Sequence, residues 1–402
     1  MRVPALLCLL LLLVSAVSAA LPLDLDGDGR IAEDELYPIA LDYLLQVHGR
    51  LQENPVLQRE VQDAAFVVKY WNGTQREVKD SAGNAYMLER PLGRVVVMNS
   101  ETLETMRSIG VNSRVVVGVD KYTLQKPDFF PEYTRHVNVG SIWAPDYEKI
   151  LSLKPDAVFL YATISPDSTD AIVRTLGSTM PSAMIFRFDG YKPATYRREV
   201  EALMEIFGAR EKGVRYLAFY DETIGEITKH TAGIPEDARM RVYLETWTDF
   251  KTGGQGSGYH EKIEMAGGTN IFGEETTEYP AIDPEAVLKR TPQVIVKLVG
   301  TGDYRFGGYR EANTTRYAQT YEALLKRPGW STLEAVREGR VHLMHTDIMG
   351  GPQFIVGTAY LAKWLYPEDF PSLEPEEIHL RYVHEFQGMP EDLVEDRVFV
   401  YP

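Results

Sequence analysis

The chain has 402 residues, of which 44% are apolar, enough for two domains of ordinary size each with its own core. A formal charge of −16 argues against nucleic acid and anionic membrane surfaces as partners. The one cysteine, Cys8, lies inside an N-terminal apolar run, so the exported chain is expected to carry no disulfide, thiolate metal site or cysteine nucleophile.

That run belongs to a predicted signal peptide: Arg2, then apolar Ala5–Val14, then the small-residue site Ala16-Val17-Ser18-Ala19. It is short for a membrane span, and the protein is expected to be exported to the periplasm or the outer face of the cell membrane. Next comes Asp24-Leu-Asp26-Gly-Asp28-Gly29-Arg30-Ile-Ala-Glu33-Asp34-Glu35. Acids at loop positions 1, 3 and 5, Gly at 6 and Glu at 12 match an EF-hand-like calcium loop. Calcium needs about six to eight hard oxygens around one ion. Asp24, Asp26, Asp28, the Arg30 carbonyl and both Glu35 oxygens would supply them. Structural Ca2+ is therefore expected, clamping a following helix Leu36–Leu51.

Residues 64–92 alternate and turn (Ala65–Trp71, Arg76–Lys79, Tyr86–Leu88), predicting a small β-meander. Asn72-Gly73-Thr74 and Asn313-Thr314-Thr315 are glycosylation sequons, relevant only in a host that glycosylates exported chains. Strands are then predicted at Arg94–Met98, Val115–Val119, Ala157–Tyr161 and Ala183–Phe188, with helices at Glu101–Ile109, Tyr147–Leu153 and Asp167–Leu176. This alternation implies a parallel sheet covered on both faces. In Glu211–His230, Val214, Leu217, Tyr220, Ile224 and Ile227 recur at helical spacing, and twenty residues make a rod of roughly 30 Å. The rod is either the spine between two lobes or one more covering helix. Beyond it the pattern resumes with strands Arg241–Glu245, Val294–Lys297 and Val341–Met344 and helices Glu261–Ala266, Pro284–Lys289, Tyr317–Leu325 and Ile355–Leu365. The acidic, proline-rich end reads as a tail laid over the surface.

Five stretches stand out in order: Arg94-Val-Val-Val-Met-Asn-Ser-Glu-Thr-Leu-Glu with Ile109-Gly110, then Val139-Gly-Ser-Ile-Trp143-Ala-Pro-Asp-Tyr-Glu148 through Asp156. Glu264-Met-Ala-Gly-Gly-Thr-Asn270, Ile282-Asp-Pro-Glu285 through Pro292, and Arg327-Pro-Gly-Trp330 with Gly339-Arg340-Val follow. Together they resemble the helical-spine class of ABC-importer substrate-binding proteins, the binders of iron–siderophore, haem and cobalamin. The resemblance covers roughly residues 64–370 and implies an α/β fold, two doubly wound α/β lobes joined by a long interdomain helix; the N-terminal EF-hand-like calcium loop and the acidic tail lie outside it. The expected domains are a signal peptide at 1–19, calcium loop and helix at 20–63, meander at 64–92 and N-terminal lobe at 93–195. A spine at 196–232, C-terminal lobe at 233–370 and acidic tail at 371–402 complete them. It also implies a monomeric, non-enzymatic carrier serving an ABC permease dimer with ATPase subunits. Glu148 and Glu285 match the family's permease-docking acids.

In a doubly wound sheet, ligands lie beyond the carboxyl ends of the strands. The residues expected there for cargo are Tyr122, Trp143, Tyr161, Trp247, Tyr279, Lys297 and Asp347. Aromatic walls with few fixed cations suit a large, largely neutral chelate better than an anionic one. Tyrosine also allows phenolate–iron ligation. The cargo is thus an iron chelate or a corrinoid, with no choice between them. The eight histidines contain no HExxH, Gly253–Gly258 lacks the GK[ST] of a phosphate loop, and no serine has a nucleophile-elbow context. The competing reading is a calcium-stabilised extracellular enzyme or cell-surface adhesion module.

Overall fold

A computed structural model of the chain describes residues 21, 23–45 and 55–402. The signal-peptide reading and the end of the predicted helix Leu36–Leu51 fall outside the described residues. What is described forms two compact units: residues up to 77 with 87–90, and residues 78–86 with 91–402.

In the first unit, Asp24 organises the acidic loop. Its Oδ1 accepts from the Gly27 and Asp28 N–H groups at 2.8 and 3.1 Å, and its Oδ2 accepts from Gly29 at 2.9 Å. Helix α1, Glu33–Leu45, follows with Glu33, Asp34 and Glu35 in its first turn, where the helix dipole favours negative charge. Helix α2 is Pro55–Trp71, which corrects the strand expected at Ala65–Trp71. Val61, Ala64, Val67 and Trp71 are its buried residues, at a spacing of three and four. That helical stripe extends upstream of the segment read as a strand, and it outweighs the local content of β-formers. Asn72 and Gly73, both at positive φ, end the helix, and the Gly73 carbonyl accepts from Ile31 N–H at 2.7 Å. The expected meander reduces to a two-stranded hairpin, β1 (Arg76–Lys79) and β2 (Ala85–Leu88).

The second unit contains two five-stranded sheets. The first uses β3 (Val95–Val97), β4 (Val116–Val119), β5 (Val137–Asn138), β8 (Ala157–Leu160) and β9 (Met184–Arg187) in the order β5-β4-β3-β8-β9, all parallel. Between them lie α3 (Ser100–Ser108), the small hairpin β6 (Gly140–Ser141) and β7 (Ala144–Pro145), α4 (Tyr147–Leu153) and α5 (Pro166–Thr179). After β9, α6 (Pro193–Phe207) ends at Gly208 in the left-handed region, and α7 (Arg210–Thr231) begins two residues later. The second sheet is built from β10 (Arg241–Glu245), β11 (Thr269–Asn270), β12 (Val294–Val299), β13 (Val341–His345) and β14 (Val400–Tyr401). Its order is β11-β10-β12-β13-β14, parallel except for β14 against β13. Its helices are α8 (Tyr259–Met265), α9 (Pro284–Arg290), α10 (Thr315–Leu325), α11 (Glu334–Arg337) and α12 (Phe354–Leu365). Val95–Val97 and Val294–Val296 are wholly buried, the expected state of central parallel strands covered on both faces.

Helix α7 packs on α3 and α6 from the first sheet's side and on α8 and α12 from the second's. Twenty-two residues give it a length of about 33 Å. Its buried face carries Tyr216, Phe219, Tyr220, Ile224 and Ile227, whereas Val214, counted in the predicted stripe, is exposed. Gly213 takes the buried position instead, because a β-carbon there would stand 2.6 Å from the Met204 sulfur of α6.

The largest correction concerns the chain end, which is no surface tail. Helices α13 (Pro375–Arg381) and α14 (Asp392–Glu395), with a π-turn at Tyr382–Phe386, lead into β14. Phe370, Leu373, His379, Tyr382, Val383, Val394 and Phe399 are all buried. Tyr382 Oη donates to Glu104 Oε1 at 2.7 Å, and Gln387 donates to Ser108 Oγ at 2.6 Å, both on α3. On the second sheet's side, Phe399 packs edge-on to Tyr309, centroids 4.8 Å apart. This segment therefore joins helices and loops belonging to both sheets.

Candidate functional site

The carboxyl ends of both sheets open onto one cavity of about 470 Å³. Asn99, directly after β3, caps α3: its side chain accepts from Glu101 and Thr102 N–H, and its Nδ2 donates to the Phe188 carbonyl at 2.6 Å. The cap fixes Glu101 at the cavity, where the Tyr161 hydroxyl, just past β8, donates to its carboxylate. Burial first, then Glu101 and Asp120, push the Tyr161 phenol up, so it remains a hydrogen-bond donor at neutral pH. Asp120, past β4, accepts from Thr123 N–H and Oγ1 at 2.9 and 2.6 Å, and burial raises its carboxyl. The β6–β7 hairpin carries Trp143 at its tip, 56% exposed and edge-on to Tyr122, with centroids 5.8 Å apart.

The second sheet contributes Trp247 past β10, which forms an aromatic cluster with Tyr259 and Tyr279 at centroid separations of 6.1–6.5 Å. Past β13, Asp347 lies 3.1 Å from His345 and 3.6 Å from Lys126 of the first sheet's loops. Burial pushes the Asp347 carboxyl up, but His345 and then Lys126 outweigh it and hold the group well below the usual carboxylate range. Gly308 makes this packing possible: at φ +63°, a β-carbon there would come 2.5 Å from Asp347 Oδ2. Further bonds connect the two sheets' loops: Arg310 to the Gln125 carbonyl at 2.8 Å, and Lys192 to Glu278 at 3.0 Å.

Six of the seven residues expected for cargo line this cavity: Tyr122, Trp143, Tyr161, Trp247, Tyr279 and Asp347. Lys297 does not, and is a correction. It is wholly buried, its Nζ 2.7 Å from Glu245 and 3.1 Å from Asp249, beside Arg327 at 2.7 Å from Glu245. A buried lysine charge is tolerated only when paired, and Lys297 is held by Glu245 at the end of the neighbouring β10 and by Asp249 in the loop after it, none of the three lining the cavity. Sequence reasoning missed Glu101, Glu104, Lys126, Tyr191, Tyr259, Tyr309 and Gln353, which also line the cavity. Tyr191 was within reach, three residues beyond the predicted strand ending at Phe188. Lys126 lies in an irregular loop, and Glu104 and Gln353 are brought in by helix packing, which leaves no periodic signal.

Glu148 and Glu285 are both exposed and occupy matching places. Each is the second residue of a seven-residue helix with an aspartate N-cap (Asp146, Asp283), ended by a left-handed residue (Lys154, Thr291). In the acidic loop, one carboxylate oxygen each from Asp24, Asp26 and Asp28 lie within 4.8 Å of one another. The Arg30 N–H donates to Asp28 at 2.8 Å. Glu35 stands apart from the trio, accepting from the N–H groups of Leu25, Asp26 and Ala32 at 2.6, 3.2 and 2.8 Å.

The family model for periplasmic binding proteins matches residues 95–348. An uncharacterised ABC transporter substrate-binding lipoprotein of Bacillus subtilis, YvrC, is 23% identical over 299 residues, 73% of this chain and 86% of that one. The vitamin B12-binding protein of Vibrio cholerae is 24% identical, with 62% and 88% covered. Among solved structures, the TroA-like periplasmic binding protein FepB of Veillonella parvula superposes with a TM-score of 0.70 at 21% identity, covering 81% of this chain and 99% of that one. Among the described residues no helix is long and apolar enough to cross a membrane.

Proposed function

We propose that this chain, which belongs to the periplasmic binding protein family, captures a metal chelate outside the cytoplasm and hands it to an ABC permease with its ATPase subunits. The observation that carries this reading is the cavity itself, where strand ends of two sheets converge on an aromatic lining. A volume of about 300–1,000 Å³, mostly apolar walls and a few polar orienters are the marks of a small-molecule site. Five carboxylates (Glu101, Glu104, Asp120, Asp128, Asp347) against three fixed cations (Lys126, Arg305, Arg310) disfavour a free oxyanion or a polyanionic siderophore. A protonated Tyr161 engaged with Glu101 also argues against a phenolate ligand to haem iron at that position. A corrinoid or a neutral ferric chelate remains. Cyanocobalamin, haem and a neutral ferric hydroxamate are to be titrated against tryptophan fluorescence, since Trp143 and Trp247 both line the site. Binding of none of the three, with tight binding of a bare metal ion or oxyanion, overturns the reading.

The two lobes, with α7 as a spine that limits hinge motion, and a monomeric, non-enzymatic carrier complete the proposal. The matching positions of Glu148 and Glu285 support their use as paired permease contacts. The Asp24, Asp26 and Asp28 cluster supports a calcium clamp, since hard oxygens at this spacing suit that ion. Arg30 and Glu35 would complete the set, with Glu35 exchanging backbone N–H partners for the metal. Calorimetry should then show calcium uptake that disappears in Asp24→Ala.

A further inference from the structure

One carboxyl in the cavity is only half used. Glu104 on α3 is 7% exposed, and both of its side-chain hydrogen bonds fall on Oε1: Tyr382 donates at 2.7 Å and Gln353 at 2.9 Å. Oε2 has no hydrogen-bond partner among the described residues, although Glu104 lines the cavity. Tyr382 lies on the chain's last segment, outside the part that matches the family. The same segment supplies His379, whose ring contacts Gln353 Oε1 at 3.1 Å and the Tyr309 hydroxyl at 2.8 Å. Oε2 is not sealed in the core, and a carboxylate oxygen open to the cavity can take a further hydrogen bond from a donor that enters it.

We propose that Glu104 is a specificity-determining residue: its free Oε2 takes a hydrogen bond from an uncharged N–H or O–H donor on the cargo, a peripheral carboxamide being the class that fits, and rejects cargo that presents a carboxylate there. Tyr382 is its positioning residue. This rests on the carrier reading above and narrows it to an amide-bearing chelate. Lys126, which interacts with Glu104, Glu101 and Asp347, opposes a cationic cargo group at this end of the cavity. The excess of carboxylates opposes an anionic one. A neutral donor satisfies both.

Acceptance requires the ionised carboxylate. Burial pushes Glu104 up to about 7, and Tyr382, Gln353, Lys126 and Arg107 pull it back in that order. Of the other groups facing it, Glu101 precedes it by one turn on α3, Tyr196 and Tyr216 face it from α6 and α7, and Tyr309, itself next to Asp347, faces it from the second sheet's loops. The tyrosines stay protonated and Asp347 stays ionised through neutrality, and His379, pushed down to about 3, stays neutral. Cargo affinity should therefore be full at alkaline pH and fall as pH drops through neutrality.

The test titrates cyanocobalamin, its monocarboxylic acid derivatives and haem into the wild-type chain, Glu104→Gln and Tyr382→Phe from pH 5.5 to 8.5. In E104Q the amide oxygen can keep the Tyr382 and Gln353 bonds while an NH2 faces the cavity, so an acceptor becomes a donor. We expect at least tenfold weaker cyanocobalamin binding with a flat pH profile, and less discrimination against the carboxylic acid derivatives. Tyr382→Phe, losing a bond that favours the ionised form, should shift the wild-type midpoint upward. Wild-type binding of cyanocobalamin with E104Q indistinguishable in affinity and pH profile overturns this inference and leaves the carrier reading standing. Binding of none of cyanocobalamin, haem and a neutral ferric hydroxamate, with tight binding of a bare metal ion or oxyanion, overturns the carrier reading itself. If E104Q does not fold, an unmoved midpoint in Tyr382→Phe overturns the inference in its place.

Discussion

Burial pushes the Glu104 carboxyl from 4.5 up to about 7, so the folded chain holds a proton there over a range in which the unfolded chain has released it. Its contribution to folding is therefore unfavourable and grows as pH rises from about 4.5 to 7, reaching about 3 kcal/mol above that range. Chemical denaturation should show E104Q gaining on the wild type by that order between pH 4.5 and 8. His379 acts in the opposite sense: burial lowers it to about 3, so its neutral form loses stability as pH falls below 6.5. Because E104Q leaves His379 in place, the acid-side loss should persist in the variant. Lys297 gives a prediction of another kind. Lys297→Met leaves Glu245 and Asp249 short of a cation in a buried network, a loss of about 3–5 kcal/mol in urea denaturation. Cargo affinity should stay unchanged, because Lys297 does not line the cavity. No sequence rule separates this lysine from a cleft cation. Both readings place it on the same strand, and only the position of its acid partners decides.

At the scale of elements, regular periodicity was a reliable guide and irregular chain was not. The helix Tyr147–Leu153 and the strand Arg241–Glu245 have the predicted bounds, since each has a clean hydrophobic period and a turn at either end. The segment 65–71 misleads because seven residues rich in β-formers satisfy two periods at once, and only the buried positions farther upstream select the helix. The chain end misleads through composition. Its acids face solvent while Phe399, Tyr382 and Val383 are buried among residues far away in sequence. Phe399 contacts Tyr309, His379 and His345 at centroid distances of 4.8, 4.5 and 6.2 Å, so Phe399→Ala should cost about 3–5 kcal/mol by thermal or chemical denaturation. A true surface tail would tolerate that change with a loss below about 0.5 kcal/mol.

For the whole molecule, α7 packs on helices from both sheets, and its proposed role as a spine implies little freedom for one sheet to swing against the other. Small-angle scattering should show almost no change in radius of gyration when cargo binds. A large contraction would mean a flexible hinge and a different kind of closure. Charge reversal at Glu148 or Glu285 should abolish transport in a reconstituted importer while cargo affinity stays within twofold, because both side chains are exposed helix-start carboxylates. The sequence by itself determined the alternating α/β order, the long central helix, the family motifs and the aromatic character of most strand ends. Those properties are local, since a period, a cap or a turn residue acts over a few positions of chain. The tertiary structure alone decided that Glu104, Gln353 and Tyr382 meet, that Lys297 turns away to its acids, and that the last segment completes the core. Such contacts join residues up to 283 positions apart. Only chain packing selects them, because a buried polar atom takes whichever partner the fold places within reach.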